Sequence, residues 1–252
     1  NDGKFEVVTS PVKIDLVYDK SAGFKFPPEG DESVVWVNRR DFKILCWNKW
    51  KCYQEIGEYM PRTELVSSQS GLVDAISKLK TDWVVIKPAN GLKGLGIYIG
   101  PKSGAQSFKL NKKHKLYVAQ EFVDTRGGIP GITGGMHDLR LAIVNAKVVW
   151  SHVRVPPVGS FKANAAGGGI LTEFDLEKIP QNVMEIEDKI AKQFNEKYDD
   201  PVYSLDFGLE NGKPYIFEIN DQIGFPKWEM KNRDIFLEGL ISNFEQKLTH
   251  LV

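Results

Sequence analysis

Three oxygen-bearing side chains stand among residues that otherwise read as core. Asp206 ends the run Tyr203-Ser204-Leu205, and Glu218 and Asn220 follow Tyr215-Ile216-Phe217 two residues apart. Residues two apart on a strand share a face, so Glu218 and Asn220 point the same way. Carboxylates among apolar neighbours are costly unless paired. Magnesium takes hard oxygen ligands, usually carboxylates completed by phosphate oxygens and water. The pattern therefore points to a metal–phosphate site on a hairpin. Acids on a solvated sheet face are the plainer alternative, and the apolar surroundings argue against it.

The shared site constrains the hairpin. Asn211-Gly212 favours a two-residue turn, which pairs Glu210 with Lys213. In a regular ladder that register turns Asp206 away from Glu218. A three-residue loop, Glu210-Asn211-Gly212, pairs Leu209 with Lys213 and brings the acids to one face. Metal binding selects this second register, with a bulge farther along as the lesser route. Asp206→Asn and Glu218→Gln are then expected to remove turnover and leave the fold intact.

Cations and glycines surround this hairpin in sequence. Lys87 ends the apolar strand Trp83-Val84-Val85-Ile86, just before the turn Asn90 to Gly96 with Gly91, Gly94 and Gly96. Glycines let backbone N–H groups approach an anion closely. A strand follows this turn, so it is neither a P-loop nor a dinucleotide-binding turn, both of which open a helix. Taken alone it reads as a flexible surface turn; beside Lys87 it reads as a phosphate lid. Lys49 alone reads as a solvated lysine. Asp138 and Arg140 alternate at a strand start and share a face. Arg154 follows on the next strand, and Lys162 and Asn164 lie in the glycine-rich loop Val155 to Gly169. His114, His137, His152 and His250 form no recognisable catalytic set.

The elements that must hold these residues are mixed. Short strands are expected at Val7-Val8, Ile14 to Tyr18, Val34 to Val37, Thr63 to Val66, Ile97 to Ile99 and Leu116 to Val123. A helix from Asn48 carries Trp50, Tyr53 and Ile56 on one stripe. Ser70 is placed to cap a helix bearing Leu72, Val73, Ile76 and Leu79. Leu139 to Asn145 and Lys147 to Val153 read as a hairpin. Val183, Ile186, Ile190 and Phe194 mark another helix, and Asn232 precedes a last one. The loops Asn90–Gly96, Asp124–His137 and Val155–Gly169 read as mobile lids. Without regular βαβ alternation, the class is α+β.

The 252 residues are enough for a sizeable core, and 33 basic residues balance 33 acidic ones. Zero net charge argues against a nucleic-acid backbone as main partner, since that needs a basic excess. Cys46 and Cys52, read as facing different ways on one helix, cannot close a zinc site; a reduced, cytoplasmic protein is the simpler expectation. No apolar run reaches the roughly 18–20 residues of a membrane span. The chain starts at Asn1, which reads as a fragment or a trimmed chain.

In this order the motifs resemble the ATP-grasp superfamily, in the branch of glutathione synthetases and ribosomal-protein glutamate ligases. Around Asn48-Lys49-Trp50 the chain is also similar to spore-coat-associated ATP-grasp proteins. The resemblance spans roughly 46–225. It implies an ATP-grasp fold, with 46–123 and 124–252 as two lobes clasping a nucleotide. Residues 1–45 would be the remnant of an N-terminal substrate domain, or a linker. It implies that Lys49 and Lys87 hold phosphates under the lid, that Glu121 and the backbone near Phe122 meet adenine, and that Asp138 lies near the ribose. Arg154 would meet the transferred phosphoryl group, with Lys162 where close relatives have arginine, and Asn164 matching their asparagine. Asp206, Glu218 and Asn220 would be the ligands of magnesium, or of manganese in its place. Arg140 would hold the substrate carboxylate. Asn48 and Asp221-Gln222-Ile223-Gly224-Phe225 depart from the usual pattern. The implied activity is a carboxylate–amine (or thiol) ligase using ATP through an acyl phosphate, with an amine or peptide acceptor. A small-molecule kinase and a non-catalytic ATP-binding module are the alternatives. The oligomeric state is left open, with a homodimer as one option.

Overall fold

The computed structural model describes residues 10, 12–20, 34–91, 95–161, 163 and 168–249. The strand expected at Val7-Val8 lies outside them. Strands β1 (Leu16–Tyr18) and β2 (Val35–Val37) form a small parallel pair, followed by helices α1 (Arg40–Trp47) and α2 (Lys49–Ile56). Next come β3 (Thr63–Val66), α3 (Gln69–Ser77), β4 (Trp83–Pro88), β5 (Tyr98–Pro101), the short α4 (Lys102–Ala105) and β6 (Tyr117–Glu121). These strands make an antiparallel sheet in the order β3-β6-β4-β5. Then follow β7 (Asp138–Val144), β8 (Lys147–Val155), β9 (Ile170–Glu173), α5 (Gln181–Tyr198), β10 (Tyr203–Glu210), β11 (Lys213–Asn220) and α6 (Arg233–Thr249). Their sheet is also antiparallel, ordered β11-β10-β7-β8-β9.

Period-two and helical patterns explain the packing. One face of the larger sheet, with Leu139, Leu141, Leu205, Phe207 and Ile219, packs against Val183, Ile190 and Phe194 of α5 and Phe42 and Cys52 of α1 and α2. Burying each such side chain contributes about 1.5–3 kcal/mol. The opposite face is apolar only at one end, where Ala142, Val144 and Trp150 meet Phe236 and Leu240 of α6. Its remainder is the polar surface described below. The smaller sheet packs Val84, Ile86 and Ala119 on Leu72, Ala75 and Ile76 of α3.

Several local expectations change. Cys46 and Cys52 lie on two helices, because Asn48 breaks the run: it is extended and its side chain accepts from the N–H groups of Trp50 and Lys51. The buried positions of α2 are Lys49, Cys52 and Ile56, rather than the Trp50-Tyr53-Ile56 stripe. Ser68, not Ser70, caps α3, accepting from Gly71 N–H at 3.0 Å, and Val73 is exposed. The loop Asp124–His137 is pinned rather than free. Leu209 N–H donates to His137 Nε2 at 3.2 Å, so His137 presents its proton at Nδ1 to the Gly135 carbonyl. Thr125 Oγ1 is buried between the backbone groups of His137.

The β10–β11 hairpin takes the register that local preference favours. Glu210 pairs with Lys213, and Asn211 and Gly212 have φ of 51° and 78°. The three-residue loop is therefore wrong. Yet Asp206 pairs directly with Glu218, because the register shifts between Asp206 and Phe207. Phe207 pairs with Ile216, which leaves Phe217 as the extra residue of a β-bulge. Ile216 and Ile219 face the core, while Phe217, Glu218 and Asn220 face the cleft. Gly208 makes room for Phe217: a Cβ there would lie 2.0 Å from the ring's Cζ.

Candidate active site

Directly opposite residues in a ladder point to one side of a sheet. Glu173 pairs with His152, His152 with Arg140, Arg140 with Asp206, and Asp206 with Glu218. One transverse row of polar side chains thus crosses all five strands. Asp138 and Arg154 pair in the neighbouring row, and Asn220 flanks the other side opposite Ser204.

The row is tightly ion-paired. Arg140 grips Asp206 through Nε and Nη2, both at 2.6 Å. Arg154 Nη2 reaches Asp206 Oδ2 at 2.8 Å and also pairs with Asp138. Asn220 Nδ2 donates to Asp206 Oδ2 at 3.3 Å. Burial raises the Asp206 pKa, but Arg140 and Arg154 outweigh it and hold the carboxyl well below the usual range. Asp138 moves the other way: burial, then repulsion from Asp206, pushes it up to about 7. Asp206 is thus clamped by two buried arginines. Replacing it strands the Arg140 charge and leaves Arg154 with Asp138 alone, so the fold cannot be expected to tolerate Asp206→Asn unharmed.

Lysines approach from the other elements. The first residue of α2, Lys49, sends Nζ to Glu218 Oε1 at 2.9 Å and to the Gly91 carbonyl at 3.0 Å. Its own N–H donates to the Ala89 carbonyl, tying the start of α2 to the end of β4. Burial and, less, Asp206 raise Glu218, but Lys49 and Lys87 together outweigh them and leave its pKa lowered. Lys87 Nζ, from β4, donates to Gln120 Oε1 at 3.0 Å and contacts the Phe217 carbonyl at 3.5 Å. Burial, then Lys49, lowers its pKa to about 8, with Glu218 opposing.

Beyond Lys87 a cavity of about 170 Å³ opens between the sheets. Its walls are largely apolar, with Val85, Ile99, Phe122, Phe161 and Phe217, and its polar residues include Lys87, Gln120, Glu121 and Asp138. Phe161 packs edge-on to Phe122, with ring centroids 5.6 Å apart. Glu121 lines the cavity, but its Oε1 accepts from Lys80 N–H at 2.6 Å. The Phe122 N–H lies 3.3 Å from both the Trp83 carbonyl and Thr81 Oγ1.

Lys49, Lys87, Asp138, Arg140, Arg154, Asp206, Glu218 and Asn220 are therefore brought together at one end of this cavity. Glu121 and Phe122 line it. Gly91 contributes its carbonyl, and Gly96 has a φ of 69°. Gly94, Lys162 and Asn164 lie outside the described residues. Sequence reasoning missed Gln120, Phe217 and Lys43. Lys43 is buried and pairs with Asp221 at 2.8 Å, just past Asn220. Its signal was a lysine between the core residues Phe42 and Leu45. Gln120, a polar residue inside the run Tyr117-Val118-Ala119, gave a similar one.

The residues fit a magnesium nucleotide on two observations. Lys87 is a buried cation whose hydrogen-bond partners among the described residues are neutral. Among the described residues Asp138 Oδ1 and Arg154 Nε are buried without partners, at the junction of the row and the cavity. Asp206, Glu218 and Asn220 supply side-chain oxygens on one face.

The model of the RimK-like ATP-grasp domain matches residues 46–239. A probable alpha-L-glutamate ligase of Shewanella loihica is 25% identical over 192 residues, covering 75% of this chain and 58% of the relative. One of Psychromonas ingrahamii is 30% identical over 125 residues, covering 48% and 38%. The chain thus spans less than two thirds of these relatives. D-alanyl-alanine synthetase A from Vibrio cholerae superposes with a TM-score of 0.61 at 13% identity, covering 86% of this chain and 68% of that one. A RimK domain ATP-grasp protein from Sphaerobacter thermophilus gives 0.57 at 14%, covering 84% and 72%. These superpositions establish the fold. Among the described residues, no helix is long and apolar enough to cross a membrane.

Proposed function

The chain belongs to the RimK-like ATP-grasp family, and from that premise we propose that it is an ATP-dependent carboxylate–amine ligase. The observation that carries the reading is Lys87, a buried cation that lines the cavity beside the acidic row and whose hydrogen-bond partners among the described residues are neutral. The apolar cavity suits a base, bounded by Phe122, Phe161 and Phe217. Lys87 and Lys49 would hold phosphates, and Asp138 would lie toward the ribose. Glu218, Asp206 and Asn220 would hold magnesium, which when bound neutralises charge on the β- and γ-phosphates. The two lobes would be 46–123 and 124–252.

Phosphoryl transfer asks the protein for position and positive charge rather than a nucleophile. In the first step a substrate carboxylate oxygen bonds the γ-phosphorus as the bond to ADP breaks, giving an acyl phosphate. An amine nitrogen then bonds the acyl carbon, and phosphate leaves as the amine gives up its proton. Arg154 would stabilise charge on the transferred group. Arg140 would orient the carboxylate, its guanidinium already fixed by Asp206. Lys162 and Asn164 are assigned to the same loop by resemblance alone. The amino-acid ligases among the relatives favour an amino acid or peptide as the amine acceptor.

The test is ADP and phosphate release against pools of amino acids and short peptides, with hydroxylamine as trap. A hydroxamate formed with ADP supports the acyl phosphate. ADP release with a phosphorylated hydroxyl product and no hydroxamate makes the protein a kinase. No calorimetric binding of Mg-ATP at millimolar concentration removes the nucleotide reading itself.

A further inference from the structure

Lys49, Arg140 and Arg154 each hold a carboxylate. Lys87 does not. Its ammonium is buried against an amide oxygen and a backbone carbonyl. A buried cation with no hydrogen-bonded counter-charge among the described residues is costly, so something must hold it there.

The holding can be followed atom by atom. Thr63 Oγ1 donates its proton to the Pro61 carbonyl at 2.8 Å. Only lone pairs then remain on that hydroxyl, and it accepts from Gln120 Nε2 at 2.8 Å. The amide is thereby oriented, with Nε2 toward Thr63 and Oε1 toward Lys87 at 3.0 Å. The sheet register builds this chain: Gln120 lies between Thr63 on β3 and Val85 on β4, and Lys87 shares Val85's face. Glutamate would have nearly the same shape, but it would cancel the charge of Lys87. Glutamine orients the ammonium without neutralising it.

We propose that Gln120, oriented by Thr63, is a positioning residue that aims the Lys87 ammonium into the cleft and leaves its charge for the phosphates of the nucleotide. The proposal rests on the nucleotide reading above and deepens it. It assigns the aim of the phosphate-binding ammonium to a cradle of two neutral side chains, Gln120 in the cavity wall and Thr63 behind it.

The test uses Gln120→Glu, Gln120→Met and Thr63→Val, with Thr63→Ser as the conservative control. Calorimetric binding of Mg-ADP, thermal unfolding and side-chain NMR titration of Lys87 are measured on each. Gln120→Glu should weaken Mg-ADP at least about tenfold, while the melting temperature stays level or rises and Lys87 titrates at higher pH. Gln120→Met should lower the Lys87 titration. Thr63→Val frees the amide to rotate and weakens binding severalfold, and Thr63→Ser restores it. Wild-type affinity in Gln120→Glu, or affinity lost only in step with thermal stability, overturns the proposal. The NMR arm needs no nucleotide. If the wild type binds no Mg-ADP, the nucleotide reading fails; unchanged Lys87 titration in both Gln120 variants removes the cradle by itself.

Discussion

The two sheets face the cleft with opposite electrostatics. On the larger sheet, Arg140 and Arg154 converge on Asp206, and the charges satisfy one another. On the smaller sheet, Lys87 is held by neutral groups and keeps its charge. A self-paired cluster fixes geometry and contributes stability only while it is complete. An uncompensated cation contributes little stability, but it gives an incoming anion something to neutralise. The fold thus separates a rigid, charge-balanced floor from a charge-bearing roof.

The comparison can be broken most sharply at Asp206. Asp206→Asn leaves the buried Arg140 guanidinium without its carboxylate and Arg154 with Asp138 alone, and is expected to cost about 3–5 kcal/mol of stability, read by chemical denaturation. Lys87→Met should show the reverse. Stability should hold or rise, while Mg-ADP affinity falls about 10- to 100-fold by calorimetry, the worth of a charged hydrogen bond or two. Equal stability losses in the two variants would erase the distinction between floor and roof.

What was legible in the sequence followed from alternation. Glu218 and Asn220 could be assigned to one face because period two is strict along a strand, whereas Asp206, on the partner strand, was joined to them only by the chemistry of a shared metal site. The register was not legible, because chemistry and turn preference pulled apart at Asn211-Gly212 and a bulge reconciles them. A bulge adds one residue without any special residue type at the site, so nothing at Phe217 announced it. Gly208 was the only trace, a glycine inside an otherwise large-residue strand. The ion pairs of Arg140 and Arg154 were hidden for another reason: they link strands whose adjacency depends on the order of the whole sheet. Asp124–His137 looked like a lid from its glycines, but His137 and Thr125 tie it down through long-range hydrogen bonds.

Gly208→Ala tests the bulge as part of the roof–floor junction. The added methyl would meet the Phe217 ring at 2.0 Å, so the ring must shift toward the cavity. Overpacking of this kind costs about 1–3 kcal/mol. Deleting Phe217 instead should restore a regular ladder in which Glu218 still faces Asp206, because Ile216 and Ile219 keep their core positions. That deletion is expected to spare the carboxylate pair and weaken the nucleotide base contact. A nucleotide affinity untouched by either change, in folded protein, would detach Phe217 from the cavity's role.

The smallest expected effect lies in the pH dependence of the floor. His152 sits in the charged row opposite Arg140, its ring tilted 41° against that of Trp150 with centroids 4.3 Å apart. Burial first, then Arg140 and Arg154, lowers its pKa to about 3, with Asp206 opposing. In the unfolded chain a histidine takes its proton near about 6.5. Between these values the unfolded chain holds more protons at this position than the folded one, so stability rises with pH. The contribution is complete above the unfolded value and is lost as pH falls toward the folded one. Asp206, with its lowered pKa, acts in the same direction, but only from about pH 4 downward, where unfolded carboxylates begin to protonate. Asp138, raised to about 7, acts oppositely: its stability share falls as pH climbs from about 4 to 7. His152→Gln stays neutral throughout and removes only the first of these. Its denaturation midpoint should therefore decline less than that of the wild type between pH 7 and 5, and the two curves should run parallel below pH 3. Parallel curves from pH 7 to 5 would mean that His152 is protonated in the folded state, and that the two arginines do not govern the row as their geometry indicates.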